Sequence, residues 1–157
     1  MVYIGIDPGN KGGIAAFYPG SGKLAVADMP TYKAKKGRWL IDPYALADLL
    51  EVPQGEKAVC VLEQVWARQN EGVSGAFAFG RGYGNLEGII AAKKIVIHEV
   101  TPNKWKKHFG LNSDKGVSRR LATQRFPEHA EDFRRVKDDG RAEAALIALY
   151  GHEKQLT

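Results

Sequence analysis

A chain of 157 residues is long enough to bury about 68–70% of its unfolded surface without disulfide staples, and too short for two ordinary domains closing over a cofactor. With 44% hydrophobic and 26% charged residues, and no apolar run near the roughly 18 residues of a membrane helix, it reads as a soluble chain whose residues 1–157 form one domain. The formal charge of +5 favours a polyanionic partner, and the start MVYIGID lacks the basic-then-apolar pattern of a secretory signal, so the expected location is the cytoplasm.

In chain order, VYIGID predicts a first strand, and KGGIAAFY and KLAVADM predict two more in an antiparallel meander joined by PGSG. Asp42 followed by Pro43 predicts a capped helix with Tyr44, Leu46, Leu49 and Leu50 as its apolar face. KAVCVL, at 57–62, predicts a strand covered on both faces, with Cys60 a small buried thiol. The glycine-rich GVSGAFAFGRGYG then runs into NLEGIIAAKK, and IVIHEV predicts the last strand. TPNKWKKHF, with a threonine cap and an early proline, predicts a short helix, followed by the loop GLNSDK. Val117, Leu121, Ala122 and Phe126 have helical spacing that Pro127 ends, and RAEAALIALYG predicts a final helix closed by its glycine. Strands first and helices alternating afterwards predict an α/β domain with a mixed sheet.

Basic residues gather around Lys33, Lys35, Lys36 and Arg38, around Lys104, Lys106 and Lys107, and from Arg119 to Arg141. Tyr32, Trp39, Trp105 and Phe109 lie among the first two clusters, and such interleaving suits nucleic acid. Lys104, Lys107, Arg119 and Arg120 are the basic candidates for DNA contact.

Four acids stand out. Asp7 and Glu63 end the first strand and the buried strand, and Asp139 and Glu143 are four apart at the start of the last helix, one turn apart on one face. Were that face to meet the two strand ends, four carboxylates would converge, and a divalent cation would remove their mutual repulsion. Oxygen-only ligands favour magnesium or manganese, and a pair of such ions supports in-line hydrolysis of a phosphodiester. Three of the four also have a plainer role: turn formation for Asp7, capping or dipole compensation for Asp139 and a helix ion pair for Glu143; Glu63, directly after VCVL at the edge of burial, is harder to dismiss.

The blocks YIGIDPGNKGGIA, VLEQVWARQN, TPNKWKKHFGL with SDKGVSRRLATQRFP, and KDDGRAEAALIALYG resemble, in order and over nearly the whole chain, the RuvC-type Holliday junction resolvases. AFAFGRGYGNLEGIIAA and DGRAEA resemble the phage and chloroplast members in particular. The resemblance implies a ribonuclease H-like fold, with a mixed five-stranded sheet flanked by helices, and a homodimer that nicks four-way DNA junctions symmetrically with Mg2+ (Mn2+ substituting). It implies catalytic and metal-holding roles for Asp7, Glu63 and Glu143, with Asp139 as the fourth acid. Many bacterial members carry that acid three residues before the helix acid, where this chain has Gly140; Asp139 is preferred to Asp138 because it shares the face of Glu143. Lys115 matches a family lysine near the scissile phosphate, and Trp66 an aromatic that stacks on a base at the junction centre. Gly80, Gly82, Tyr83 and Gly84 are read as DNA-binding, through close backbone approach and the tyrosine hydroxyl.

The helix holding Leu86, Ile89 and Ile90 is the candidate dimer surface, although those apolar residues would serve equally to face the sheet. A helicase or motor that delivers junctions is a further conceivable partner, of unspecified kind, and an organelle form is compatible with the chloroplast likeness. Three rival readings share the pattern: an actin-like ATPase, for which the chain lacks a second domain, a non-catalytic junction-binding protein, and a nuclease of the same fold acting on RNA–DNA hybrids.

Overall fold

The computed structural model describes the chain outside residues 36, 67–71 and 113, and residue 115 by its backbone alone. Strand β1 (Val2–Asp7) pairs antiparallel with β2 (Gly13–Tyr18), which pairs antiparallel with β3 (Lys23–Asp28). On its other side β1 runs parallel to β6 (Ala58–Glu63), and β6 parallel to β7 (Val96–Val100). The order β3-β2-β1-β6-β7 makes a mixed five-stranded sheet. Asp42 caps helix α1 (Pro43–Leu49) through Oδ1, which accepts from the amides of Tyr44 and Ala45.

Period-two alternation splits the strands between two cores. Val2, Ile4 and Ile6 of β1, with Cys60 and Leu62 of β6, pack with Leu46, Leu86 and Ile90 of α1 and of α2 (Val73–Ala92). Tyr3, Val59 and Val61 point the other way, into a core built on α5 (Asp139–Glu153) with α3 (Pro102–His108) and α4 (Lys115–Arg125). Burial pushes the Cys60 thiol far above its ordinary range, as befits an inert packing group.

Helix α5 lies directly on the sheet because glycines clear its path. A Cβ at Gly5 would stand 2.1 Å from the Ala144 carbonyl oxygen, and one at Gly151 would stand 2.6 Å from Cγ2 of Val61. Gly151 is therefore a contact point inside α5, which continues to Glu153 rather than ending at that glycine.

Other sequence expectations also change. Tyr44 and Leu49 are exposed on α1, and only Leu46 and the capping Leu50 turn inward, so the apolar face is narrower than the pattern implied. Thr101 precedes α3 but makes no side-chain cap. The stretch 31–41, read only as a basic run, folds into a hairpin of β4 (Thr31–Lys33) and β5 (Trp39–Ile41). The glycine-rich stretch, given no element from sequence, is helical: Gly72 caps α2, which begins at Val73 and runs through the rest of it. Leu86 and Ile90 are fully buried against the sheet, so they cannot be a dimer surface; α2 has to spend that face on the core.

Candidate active site

The register of β1 and β6 sets the site. Ile6 pairs with Leu62, so the next residues along the two parallel strands, Asp7 and Glu63, end them side by side. Alternation from Tyr3 and Gly5, and from Val59 and Val61, puts both on the α5 side of the sheet. Glu63 is buried, and its Oε2 accepts a hydrogen bond of 2.6 Å from Nε1 of Trp105, itself fully buried on α3.

Glu143 faces the same region from the first turns of α5 and is equally buried. Its Oε1 lies 3.1 Å from Nζ of Lys106 and accepts from Oγ of Ser118 on α4 at 3.4 Å. The ammonium of Lys106 also sits 5.1 Å from the Trp105 ring centroid, so adjacent residues of α3 reach Glu63 and Glu143 respectively.

Asp139 opens α5 one turn before Glu143, with Oδ1 2.8 Å from Nε of Arg119. That contact is an ion pair: the atoms are close, but their alignment is not that of a hydrogen bond. Asp138, the alternative fourth acid, is buried in its own cap. It accepts from the backbone amide of Arg135 at 2.8 Å and from Nη2 of the same residue at 2.9 Å. The hydrogen bonds from the Arg135 side chain hold its carboxyl below the usual range.

The expected acid three residues before Glu143 is missing for a steric reason. Gly140 forms a bridge with Gly12, and a Cβ there would lie 2.5 Å from the Gly12 carbonyl carbon and the Lys11 oxygen. No side chain fits where α5 crosses the β1–β2 turn.

Asp7, Glu63 and Glu143 thus share one end and one side of the sheet. Even so, among the described residues no three His, Cys, Asp or Glu side chains lie close enough to hold a metal ion. The four-carboxylate cluster is not assembled in this conformation, in which Glu143 takes Lys106 and Asp139 takes Arg119 as charge partners. By donor chemistry the three buried-edge acids fit a hard divalent cation, being oxygen ligands with no nitrogen or sulfur among them.

Around this centre, Lys104 and Lys107 are exposed on α3 and Arg120 on α4, whereas Arg119 is occupied by Asp139 and by the Arg134 carbonyl. Lys115 begins α4, and its side chain lies outside the described residues. Trp66 is 71% exposed three residues beyond Glu63. Gly80, Gly82, Tyr83 and Gly84 lie on α2. Gly82 abuts Ile41, with 3.3 Å between a Cβ there and Cδ1, while Gly80 and Gly84 open to solvent. The Tyr83 hydroxyl, offered to DNA by the sequence reading, donates to Oε1 of Glu99 at 2.8 Å, and its deprotonation is pushed to higher pH by burial and by that carboxylate.

Lys106 and Ser118 were not singled out as site residues from sequence, and Trp105, read as an aromatic interleaved with a nucleic-acid-binding basic run, is instead fully buried behind Glu63. The available signal was that Trp105 is the one large apolar residue among the lysines of α3, and hence the side that must pack.

Compared with solved structures, the chain aligns over 99% of its length with 97% of Thermus thermophilus RuvC, at TM-score 0.60 and 15% identity. The fold is that of RuvC, of the ribonuclease H-like type. T. thermophilus RuvC in complex with a Holliday junction substrate gives TM-score 0.63 at 15% identity, covering 98% of this chain and 96% of that one. The fowlpox virus Holliday junction resolvase gives 0.58 at 14% identity, covering 99% and 100%. No protein-family model and no curated protein sequence matches the chain.

Proposed function

We propose that this chain is a metal-dependent endonuclease that resolves four-way DNA junctions as a homodimer. The observation that carries this reading is the juxtaposition of Asp7 and Glu63 at the ends of neighbouring parallel strands, on the side of the sheet that α5 covers with Glu143. Three acids at the rim of a core have a large desolvation cost unless they serve a charge, and the basic surface outside them suits a phosphate backbone.

Asp7, Glu63 and Glu143 would hold the cation, with Asp139 joining if Arg119 turns to DNA. Magnesium or manganese, when bound, supplies electrostatic stabilisation of the charge that develops on a phosphodiester under attack by water. Trp105 fixes one oxygen of Glu63 and so orients the other. Lys106, 3.1 Å from Glu143, holds that carboxylate in place until the cation binds. Lys104, Lys107 and Arg120 supply phosphate contacts, and Trp66 stacks on a base at the junction centre.

The dimer would use the outward face of α2, where Val73 and Phe77 are exposed and Gly80, Gly84 and Gly88 have nothing within 4 Å of an added Cβ. An isologous pair matches the twofold symmetry of a junction and sets one site on each of two opposed strands.

The test is incubation of an end-labelled immobile junction with the protein, with and without magnesium, beside Asp7→Asn and an RNA–DNA hybrid substrate. Paired nicks at symmetric positions, dependent on the metal and absent from the variant, are expected. Binding without nicking, or a preference for the hybrid, would overturn the reading.

A further inference from the structure

On the opposite side of the sheet from the carboxylates, a groove of about 290 Å³ runs between the β4–β5 hairpin and α2, with Pro8 and Gly9 forming one end. We propose that it receives one unpaired nucleotide of a DNA strand whose neighbouring phosphates pass the Asp7 end of β1. This rests on the nuclease reading above and adds to it a strand-holding subsite.

Trp39 is the first feature that points to a nucleotide. Its side chain is 52% exposed on a two-stranded hairpin, where it contributes little to either core. Its carbonyl is fixed by Nδ2 of Asn10, which donates at 2.7 Å, so the indole stands on a braced backbone beside the groove. Phe79 and Tyr83 line the same space, and the Tyr83 hydroxyl is committed to Glu99, which leaves the ring as its contribution. Aromatic surfaces of this kind take the face of any base.

Charge is the second. Arg38 donates from Nη1 to the Ser74 carbonyl at 2.7 Å and from Nη2 to Ser74 Oγ at 2.9 Å. Both acceptors are neutral, so the guanidinium is held in place with its charge uncompensated. Arg81 lines the groove as well, and among the described residues neither arginine is ion-paired to an acid. Two cations flanking aromatic rings, one of them held in place, favour a phosphate-linked base over an apolar peptide, which would leave both unserved.

Size and position complete the case. The volume is at the lower limit for small-ligand sites, enough for one nucleotide and too little for a duplex. Pro8 and Gly9 directly follow Asp7, so a strand anchored here continues toward the carboxylates on the far side of the β1 terminus.

Photo-crosslinking tests it with three probes: a four-way junction carrying 5-iodouracil at its centre, a single-stranded 5-iodouracil oligonucleotide, and 5-iodouridine monophosphate. The junction and the oligonucleotide are expected to label the peptide containing Trp39, with the mononucleotide far weaker. Trp39→Ala should abolish that adduct and weaken junction binding about 10-fold, while Trp39→Phe retains most of both; the exposed site leaves the melting temperature of each variant unchanged as a control. Unchanged binding by Trp39→Ala, or adducts only elsewhere, would overturn the groove while the nuclease reading stood. Labelling of Trp39 by the oligonucleotide but not by the junction would support the groove and overturn junction resolution instead. A mononucleotide adduct as strong as the oligonucleotide's would make this a free-nucleotide site and sink the strand proposal.

Discussion

The indole of Trp105 donates to Glu63 across 2.6 Å with both side chains withdrawn from solvent, so α3 and β6 are joined at the residue on which the candidate chemistry turns. Trp105→Phe keeps an aromatic in the core and removes that donor. Losing a hydrogen bond to a buried charged group, together with the smaller ring, is expected to cost about 2–3 kcal/mol, or roughly 4–12 °C in Tm. In a nicking assay the magnesium concentration for half-maximal rate should rise, because Glu63 would no longer be oriented. An unchanged metal requirement alongside the lower Tm would reduce Trp105 to a packing residue.

Glu63→Gln separates chemistry from architecture. The amide oxygen can still accept from Trp105, so the fold and the exposed basic residues are preserved, while the charge that would hold a cation is gone. Nicking in magnesium is expected to fall by about 10³-fold or more, since metal stabilisation of the transition state is worth several kcal/mol. Junction affinity in a gel-shift measurement should stay within about 3-fold, because phosphate contacts dominate binding. Retained cleavage would remove Glu63 from the catalytic set.

Gly140 gives a prediction against analogy. Placing an acid there, three residues before Glu143, matches the spacing common in bacterial members of the resembling family, yet the backbone of Gly12 and Lys11 already fills the space. Gly140→Ala should lower stability by about 1–3 kcal/mol as α5 is pushed off the β1–β2 turn, and Gly140→Asp by more. Thermal unfolding decides it, and a Gly140→Asp protein as stable and active as the parent would show that the helix can shift freely.

Much of this architecture was legible because the strands carry strong signals: short apolar runs that end in acids, glycine turns, and a proline-capped helix. That Asp7 and Glu63 each end a strand was legible in the sequence; that the two strands are parallel neighbours, which sets the acids side by side, is a matter of sheet order that it does not encode. Other features depended on tertiary context. Repeated glycines in 72–88 lower helix propensity and argue for a loop, and burial of Leu86 and Ile90 overrides that preference. The hairpin at 31–41 is too short to show periodicity. The turning of Lys106 inward and Lys104 and Lys107 outward depends on how α3 docks, and three similar lysines in one heptapeptide do not encode it.

Asp138 and Asp139 are adjacent acids with different partners, and pH tests what Asp138 does. Asp138 is buried and its carboxyl is held below the ordinary range by the Arg135 guanidinium, so its folded pKa lies under its unfolded value. A depressed carboxylate contributes stability that is fully present above the unfolded pKa of about 4 and is lost as pH falls through the folded value. The Tm of the wild type should therefore drop on acidification below about pH 4 partly through this group. Asp138→Asn should be less stable than wild type at pH 7, because an amide cannot serve both the Arg135 backbone amide and its charged side chain as the carboxylate does. The gap should narrow as pH falls through the acidic range, when the wild-type carboxylate protonates and loses the same interaction. A constant gap from pH 7 to pH 2.5 would mean that shape rather than charge makes Asp138 necessary at the start of α5.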